Sequence, residues 1–151
     1  MLHVALLEPE IPPNTGNVAR LCAATGATLH LIGRLGFRLD DRSLRRAGLD
    51  YWPAVVLVRH ATFADFEAFL GGRRLFCFSA HAVRSYTSVA YQPGDYLLFG
   101  SESRGLPAGL LERHADRALR IPMPSGKVRS LNLATAVGIV LYEALRQLGQ
   151  V

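Results

Sequence analysis

Lysine is all but missing from this chain, cysteine is scarce, and no apolar run reaches membrane-spanning length. Each shortage closes a class of function. Cys22 and Cys77 lie far apart, follow no C-x-x-C spacing and sit among apolar residues, which speaks against zinc or redox pairs and for buried free thiols in a reducing cytoplasm. The longest apolar stretch, Ala134 to Leu145, is interrupted by Tyr142 and Glu143 and covers about two-thirds of the roughly 18 residues a membrane span needs. It reads as a buried or interfacial helix. Met1 to Leu7 runs directly into Glu8 without a basic segment, so no signal peptide is expected.

Familiar catalytic signatures are missing too. Gly100 and Gly105 have phosphate-loop spacing but are followed by Leu106 and Pro107, where a phosphate loop places Lys and Ser or Thr. No G-x-G-x-x-G follows a strand-like run, which argues against a Rossmann dinucleotide site. No G-x-S-x-G elbow occurs. The histidines at 3, 30, 60, 81 and 114 show no metal-ligand spacing, so no metal is expected.

What is present is half apolar, with charged residues at 19% of 151, the size and composition of a single domain, 1–151, with its own core. The net charge is +5, and of seventeen basic residues all but Lys127 are arginine. Arginine's planar fork suits phosphates and stacked bases better than a point charge does, which makes nucleic acid a candidate partner.

Short apolar runs at His3 to Leu7, Thr28 to Ile32, Ala54 to Val58, Leu75 to Ser79, Tyr96 to Gly100 and Ala118 to Ile121 predict buried strands of a parallel sheet. Helices are predicted over Asn17 to Thr25, Arg42 to Ala47 and Phe63 to Leu70, in a short segment after Pro107, and from about Ser130 to Leu148. Glycines stop several of them. The alternation predicts a three-layer α/β domain with about six strands.

In such a sheet, ligands collect beyond the carboxyl ends of the strands. Three loops there are distinctive. Glu8-Pro-Glu-Ile-Pro-Pro-Asn-Thr-Gly-Asn17 is stiffened by prolines and leads to Arg20; Gly100-Ser-Glu-Ser-Arg-Gly-Leu-Pro107 sets Glu102 and Arg104 between glycines; Ile121-Pro-Met continues through Arg129-Ser-Leu-Asn132 into the last helix. That helix's amides favour polar or anionic groups.

These loops resemble the three motifs of the SPOUT superfamily of RNA methyltransferases, in order and from about Leu2 to Gly149. Arg45-Arg-Ala-Gly-Leu-Asp-Tyr51 is similar to the subgroup that methylates the 2'-hydroxyl of the tRNA wobble nucleotide, cytidine or uridine. The chain departs from the family pattern at Pro124 to Val128.

The resemblance implies a C-terminal trefoil knot, S-adenosylmethionine as methyl donor, and tRNA as the substrate. Periodicity alone carries no such signal, and chains as a rule do not thread loops. Carried over residue by residue, the donor site comprises Phe78, Gly100, Glu102, Ile121, Met123, Ser130 and Leu131. Catalysis falls to Arg20, placed beside the acceptor ribose, with Asn14, Glu102, Ser130 and Asn132 orienting it and the loops around it. A charged guanidinium donates hydrogen bonds and accepts none, so Arg20 suits positioning and charge stabilisation rather than proton removal. Arg20, Arg45, Arg46, Arg104 and Arg129 are the RNA-contact candidates.

Plainer roles stand beside these. Asn14 and Asn17 fit a turn and helix cap, and Ser130 fits an N-cap. Glu102 and Arg104 fit a solvated surface pair, and Arg45 and Arg46 a solvated helix face. Apolar residues at 131, 133, 134, 137, 140, 141, 144, 145 and 148 exceed one buried stripe, which suggests a dimer face. Two alternatives remain at this stage: a ribosomal RNA 2'-O-methyltransferase, which would usually carry a further RNA-binding domain, and a catalytically silent RNA-binding module.

Overall fold

A computed structural model describes residues 1–48 and 52–151. In chain order the elements are β1 (His3–Leu7), α1 (Pro12–Thr25), β2 (Thr28–Ile32), α2 (Arg42–Gly48), β3 (Leu57–His60), α3 (Phe63–Leu70), β4 (Leu75–Phe78), β5 (Arg84–Ser85), β6 (Tyr96–Phe99), α4 (Ala108–Arg113), β7 (Ala118–Arg120) and α5 (Leu133–Gln147). The seven strands form one sheet in the order β3-β2-β1-β6-β4-β7-β5. Every strand pair is parallel.

Side chains of successive strand residues point to opposite faces, and both faces are apolar here. Val4, Leu6, Leu29, Leu31, Leu97 and Phe99 pack with α1 and α5 residues such as Val18, Cys22, Val137 and Leu141. On the other face Ala5, Leu7, Ile32, Cys77 and Leu98 pack with Phe66 and Leu70 of α3 and Leu110 of α4. The result is the expected three layers. Both cysteines are buried, and burial pushes each thiol up to about 12, so neither serves as a nucleophile at neutral pH.

Several element boundaries differ from expectation. α1 starts at Pro12, not Asn17, because proline at the first helical positions has a preset φ and lacks an N–H that would be unpaired there anyway. Its N-cap is Ile11, so Asn14 and Asn17 do not cap it. α5 starts at Leu133 with Asn132 as N-cap, accepting from the Thr135 amide at 3.2 Å; Ser130 is neither cap nor helix. The strand expected at Ala54 to Val58 begins at Leu57, since Trp52–Ala54 forms a 3-10 turn around Pro53 and the ladder pairs Leu57 with Leu29. The seventh strand is the two-residue β5 beside β7, too short for any periodic signal. In the motif Arg45 to Tyr51, Leu49, Asp50 and Tyr51 lie outside the described residues.

The α3 face holds a ladder of histidines across three neighbouring strands. His3 Nδ1 lies 2.9 Å from His30 Nε2, and His30 Nδ1 lies 2.9 Å from His60 Nε2. His30 is fully buried. His3 stacks on Tyr96, centroids 4.1 Å apart, while Phe66 packs edge-on against both His30 and His60. One proton per N···N contact satisfies the ladder with neutral rings. Burial, reinforced by the charges of His3, His60 and Arg73, lowers His30 to about 3; burial is also the main cause lowering His3 and His60.

An unfolded histidine titrates near 6.5. Below that pH the unfolded chain binds protons that the folded ladder refuses, so stability is complete above about 6.5 and falls as pH drops toward the folded value. Denaturant unfolding should show no loss from this source between pH 7.5 and 6.5, then up to about 1.4 kcal/mol per pH unit down to pH 4.5 from the buried His30. A flat profile between pH 6.5 and 4.5 would contradict a neutral ladder.

Candidate active site

The carboxyl ends of β1, β4, β6 and β7 all open onto one side of the molecule, and the loops leaving them are tied to one another. Gly100 is where β6 must release its chain sharply. A Cβ there would sit 2.1 Å from the Gly105 carbonyl carbon, because the loop folds back through an antiparallel bridge between Ser101 and Gly105. Gly105 takes φ +64, a left-handed conformation natural to glycine.

The fold-back aims Glu102 at the first loop. Its Oε1 accepts from the Glu10 amide at 2.8 Å, and its Oε2 accepts from the Ile11 amide at 2.8 Å and from Asn14 Nδ2 at 3.2 Å. Asn14 Oδ1 then accepts from Asn132 Nδ2 at 3.0 Å, which brings in the loop before α5. The first loop reciprocates: Glu10 Oε1 accepts from the Ser103 hydroxyl at 2.7 Å and from its amide at 2.9 Å. Those Ser103 bonds hold the Glu10 carboxyl below its usual range. The relay Glu102–Asn14–Asn132 thus joins all three loops, and Glu102 is a tether rather than half of a solvated pair with Arg104.

Inside this frame lies a cleft of about 660 Å³, within the range of small-ligand sites. All seven candidate donor-site residues line it: Phe78, Gly100, Glu102, Ile121, Met123, Ser130 and Leu131. Asn14, Asn132, Arg104 and Arg129 line it as well. Phe78 stacks on Phe99, centroids 4.9 Å apart and 14° from parallel, giving one wall a flat aromatic base. Ser130, Arg104 and Arg129 are exposed at the cleft.

Other candidates fall elsewhere. Arg20 is on α1, exposed, and is not among the residues lining the cleft. Arg46 is exposed on α2, and Arg45 lines a second cleft. Sequence reasoning missed Ile11, Phe99, and Ser79 to His81, which also line the donor-sized cleft. The rule that ligands gather beyond strand carboxyl ends pointed to 79–81, directly after β4. Phe99 had no signal of its own, since its place on Phe78 depends on β4 and β6 being neighbours.

A doubly covered parallel sheet whose carboxyl-end loops close over one mixed polar and apolar cleft is the architecture of a small-ligand enzyme. Residues 1–142 match the model of the SpoU rRNA Methylase family, and the chain belongs to that family. Over 150 residues it is 50% identical to the tRNA (cytidine(34)-2'-O)-methyltransferase of Escherichia coli, spanning 99% of this chain and 95% of that protein. A solved structure that gives insights into the 2-OH methylation of C/U34 on tRNA superposes with a TM-score of 0.95 at 57% identity, over 99% of this chain and 97% of that one. The AdoMet-bound rRNA methyltransferase from Sinorhizobium meliloti superposes with a TM-score of 0.86 at 31% identity, over 97% of this chain but 56% of that one.

The tether can be tested directly. Glu102→Gln keeps the shape but turns an NH2 toward at least one of three donors, so it should cost about 1–3 kcal/mol. Melting temperature and affinity for S-adenosylmethionine should fall together, because the same bonds hold the fold and the cleft. An unchanged melting temperature would show that the three loops do not depend on this carboxylate.

Proposed function

We propose that this chain transfers a methyl group from S-adenosylmethionine to the 2'-hydroxyl of the tRNA wobble nucleotide, cytidine or uridine. The observation that carries the reading is the relay Glu102–Asn14–Asn132 framing one cleft that all the candidate donor residues line. Its support from relatives is the 50% identity to an enzyme of that name over nearly the full length of both chains. The identity to the Sinorhizobium rRNA methyltransferase is lower, 31%, which favours the tRNA reading over the ribosomal one.

The cleft fits the donor chemically. Phe78, Ile121, Met123 and Leu131 offer apolar surface for a purine, and the chain around Gly100, where no side chain fits, offers backbone polar groups close to the ligand. When bound, the donor supplies an electrophilic methyl group. Arg20 grips the acceptor ribose or an adjacent phosphate and stabilises the charge that develops on the 2'-oxygen. Asn14, Glu102, Ser130 and Asn132 keep the loops in register for that contact, with Arg104 and Arg129 at the cleft for the RNA backbone.

The strand order supports the trefoil knot implied by the family resemblance. β7 lies between β4 and β5, which precede it in the chain and are joined directly through residues 79–83. A late strand inserted between two consecutive earlier ones is what threading would produce. The cytoplasm suits both the proposed tRNA substrate and the two free, buried thiols. No helix among the described residues is long and apolar enough to cross a membrane, and no His, Cys, Asp and Glu group among them could hold a metal.

A homodimer belongs to the same reading, on narrower ground than the sequence pattern offered. Leu133, Val137, Val140, Leu141, Ala144 and Leu145 of α5 are already buried within one chain. Tyr142, 43% exposed, and the half-buried Ile139 remain outside that set. Light scattering should give twice the chain mass of 16.5 kDa, and Tyr142→Arg should shift the population toward monomer. Monomer mass across the working concentrations would count against the dimer.

The activity itself is tested by incubating the protein with labelled S-adenosylmethionine and total tRNA and mapping the methylated nucleoside. Label at a wobble 2'-O-methyl nucleoside is expected; no label, or label elsewhere, refutes the reading. Within that assay Arg20→Ala should leave donor affinity nearly unchanged while turnover falls 10²-fold or more, about 3 kcal/mol of lost transition-state stabilisation. Arg20→Lys should rescue poorly, since it keeps the charge and loses the fork. Wild-type turnover in Arg20→Ala would remove the residue from catalysis.

A further inference from the structure

A second cleft, of about 550 Å³, opens at the same edge of the sheet, in the loop that follows β2. Arg34, Arg38, Arg45 and Arg59 line it together with Phe37 and a single carboxylate, Asp40. Four guanidinium groups against one acid concentrate much of the chain's net charge of +5 in one concavity. Arg38 holds Asp40 through two bonds of 3.0 and 3.2 Å. Arg59 reaches the Gly33 carbonyl at 3.4 Å, and Arg45 sits over the Trp52 ring at 5.2 Å.

The loop is fastened to the catalytic frame. The Gly36 amide donates to the Pro9 carbonyl at 2.9 Å, and the Arg34 amide donates to Glu8 Oε2 at 3.4 Å. A Cβ on Gly36 would lie 2.8 Å from the Glu10 Cα, so the two loops touch backbone to backbone. The loop from Glu8 to Ile11 therefore has Glu102 and the donor cleft on one side and the arginine cleft on the other. Since β1 separates β2 from β6, the two clefts are about two strand spacings apart, roughly 10 Å.

We propose that the arginine cleft seats a nucleotide adjacent to the methylated one in a single-stranded RNA loop, with its phosphate on Arg34 and Arg59 and its base against Phe37. The inference rests on the proposed RNA methyltransferase activity. Planar forks recognise phosphate oxygens in pairs, and an aromatic face beside them accepts any unstacked base. A duplex stem would use the same arginines but keeps its bases stacked, leaving Phe37 idle. Arg45, a candidate RNA contact on its own, acquires a place in the site.

The test measures fluorescence anisotropy of a labelled anticodon stem-loop between 50 and 200 mM salt, for wild type, Arg34→Ala/Arg59→Ala, Arg34→Lys/Arg59→Lys and Phe37→Ala. Arg34 and Arg59 are both exposed, so the double variants keep the core intact. The alanine pair should bind about tenfold or more weakly at low salt and flatten the slope of log K against log salt by about 1 to 2. The lysine pair should restore the slope and only part of the affinity. Phe37→Ala should weaken the stem-loop about tenfold and leave a blunt RNA duplex of the same stem unaffected. Donor binding by calorimetry should be the same in all four proteins.

Equal affinity and slope in wild type and the alanine pair overturn the phosphate site. A Phe37→Ala effect that is absent, or equal on stem-loop and duplex, overturns the base seat. The expected flattening in the alanine pair, found together with a wild-type protein that methylates no tRNA, would sink the catalytic reading and leave the cleft standing.

Discussion

Glu102 accepts from two backbone amides and one side-chain amide of a loop about ninety residues away in sequence, and the rest of the site depends on that carboxylate. A charged acceptor with several donors is among the stronger interactions a partly solvated site can hold. Removing it would take away the acceptor that the Glu10 and Ile11 amides share, and an N–H left without a partner costs stability. Asn14 extends the tether to Asn132, which also caps α5. One chain of hydrogen bonds therefore sets the cleft opening and the start of the last helix together.

That frame rests on a sheet buried on both faces, whose parallel strands deliver every useful loop to one edge. The histidine ladder belongs to this support. Three aromatic, polar side chains on adjacent strands satisfy one another where solvent does not reach His30, so burying them does not carry the penalty of unpaired polar groups. It lies on the α3 face, whereas Phe78 and Phe99, which line the donor-sized cleft, belong to the core packed against α1 and α5. Protonating the ladder bears on stability rather than on chemistry.

The distribution of arginine makes sense of a chain with one lysine. Arg74 forks onto the buried Asp95 at 2.8 and 3.2 Å and ties the start of β6 to β4. Arg104 and Arg129 line the donor-sized cleft, and four more arginines line the neighbouring one. The same planar group serves a buried pair, where its geometry fits a carboxylate, and open clefts, where it remains available to phosphates.

Composition and pattern by themselves determined the three-layer α/β class, five of the strands nearly to the residue, and α3 to its ends, because apolar runs and glycine stops are local properties of the chain. The three polar loops were legible for the same reason, and with the family resemblance they marked every candidate donor residue that lines the cleft. The plainer cap roles open to Asn14, Asn17 and Ser130 do not hold, since prolines at 12 and 13 start α1 early and Asn132 caps α5. Only the tertiary structure decided that Glu102, Asn14 and Asn132 form one relay, that His3, His30 and His60 meet, that Phe99 stacks on Phe78, and that two clefts share the Glu8 to Ile11 loop. Those facts follow from strand order, and strand order is set by contacts between residues tens of positions apart, for which a local pattern carries no signal.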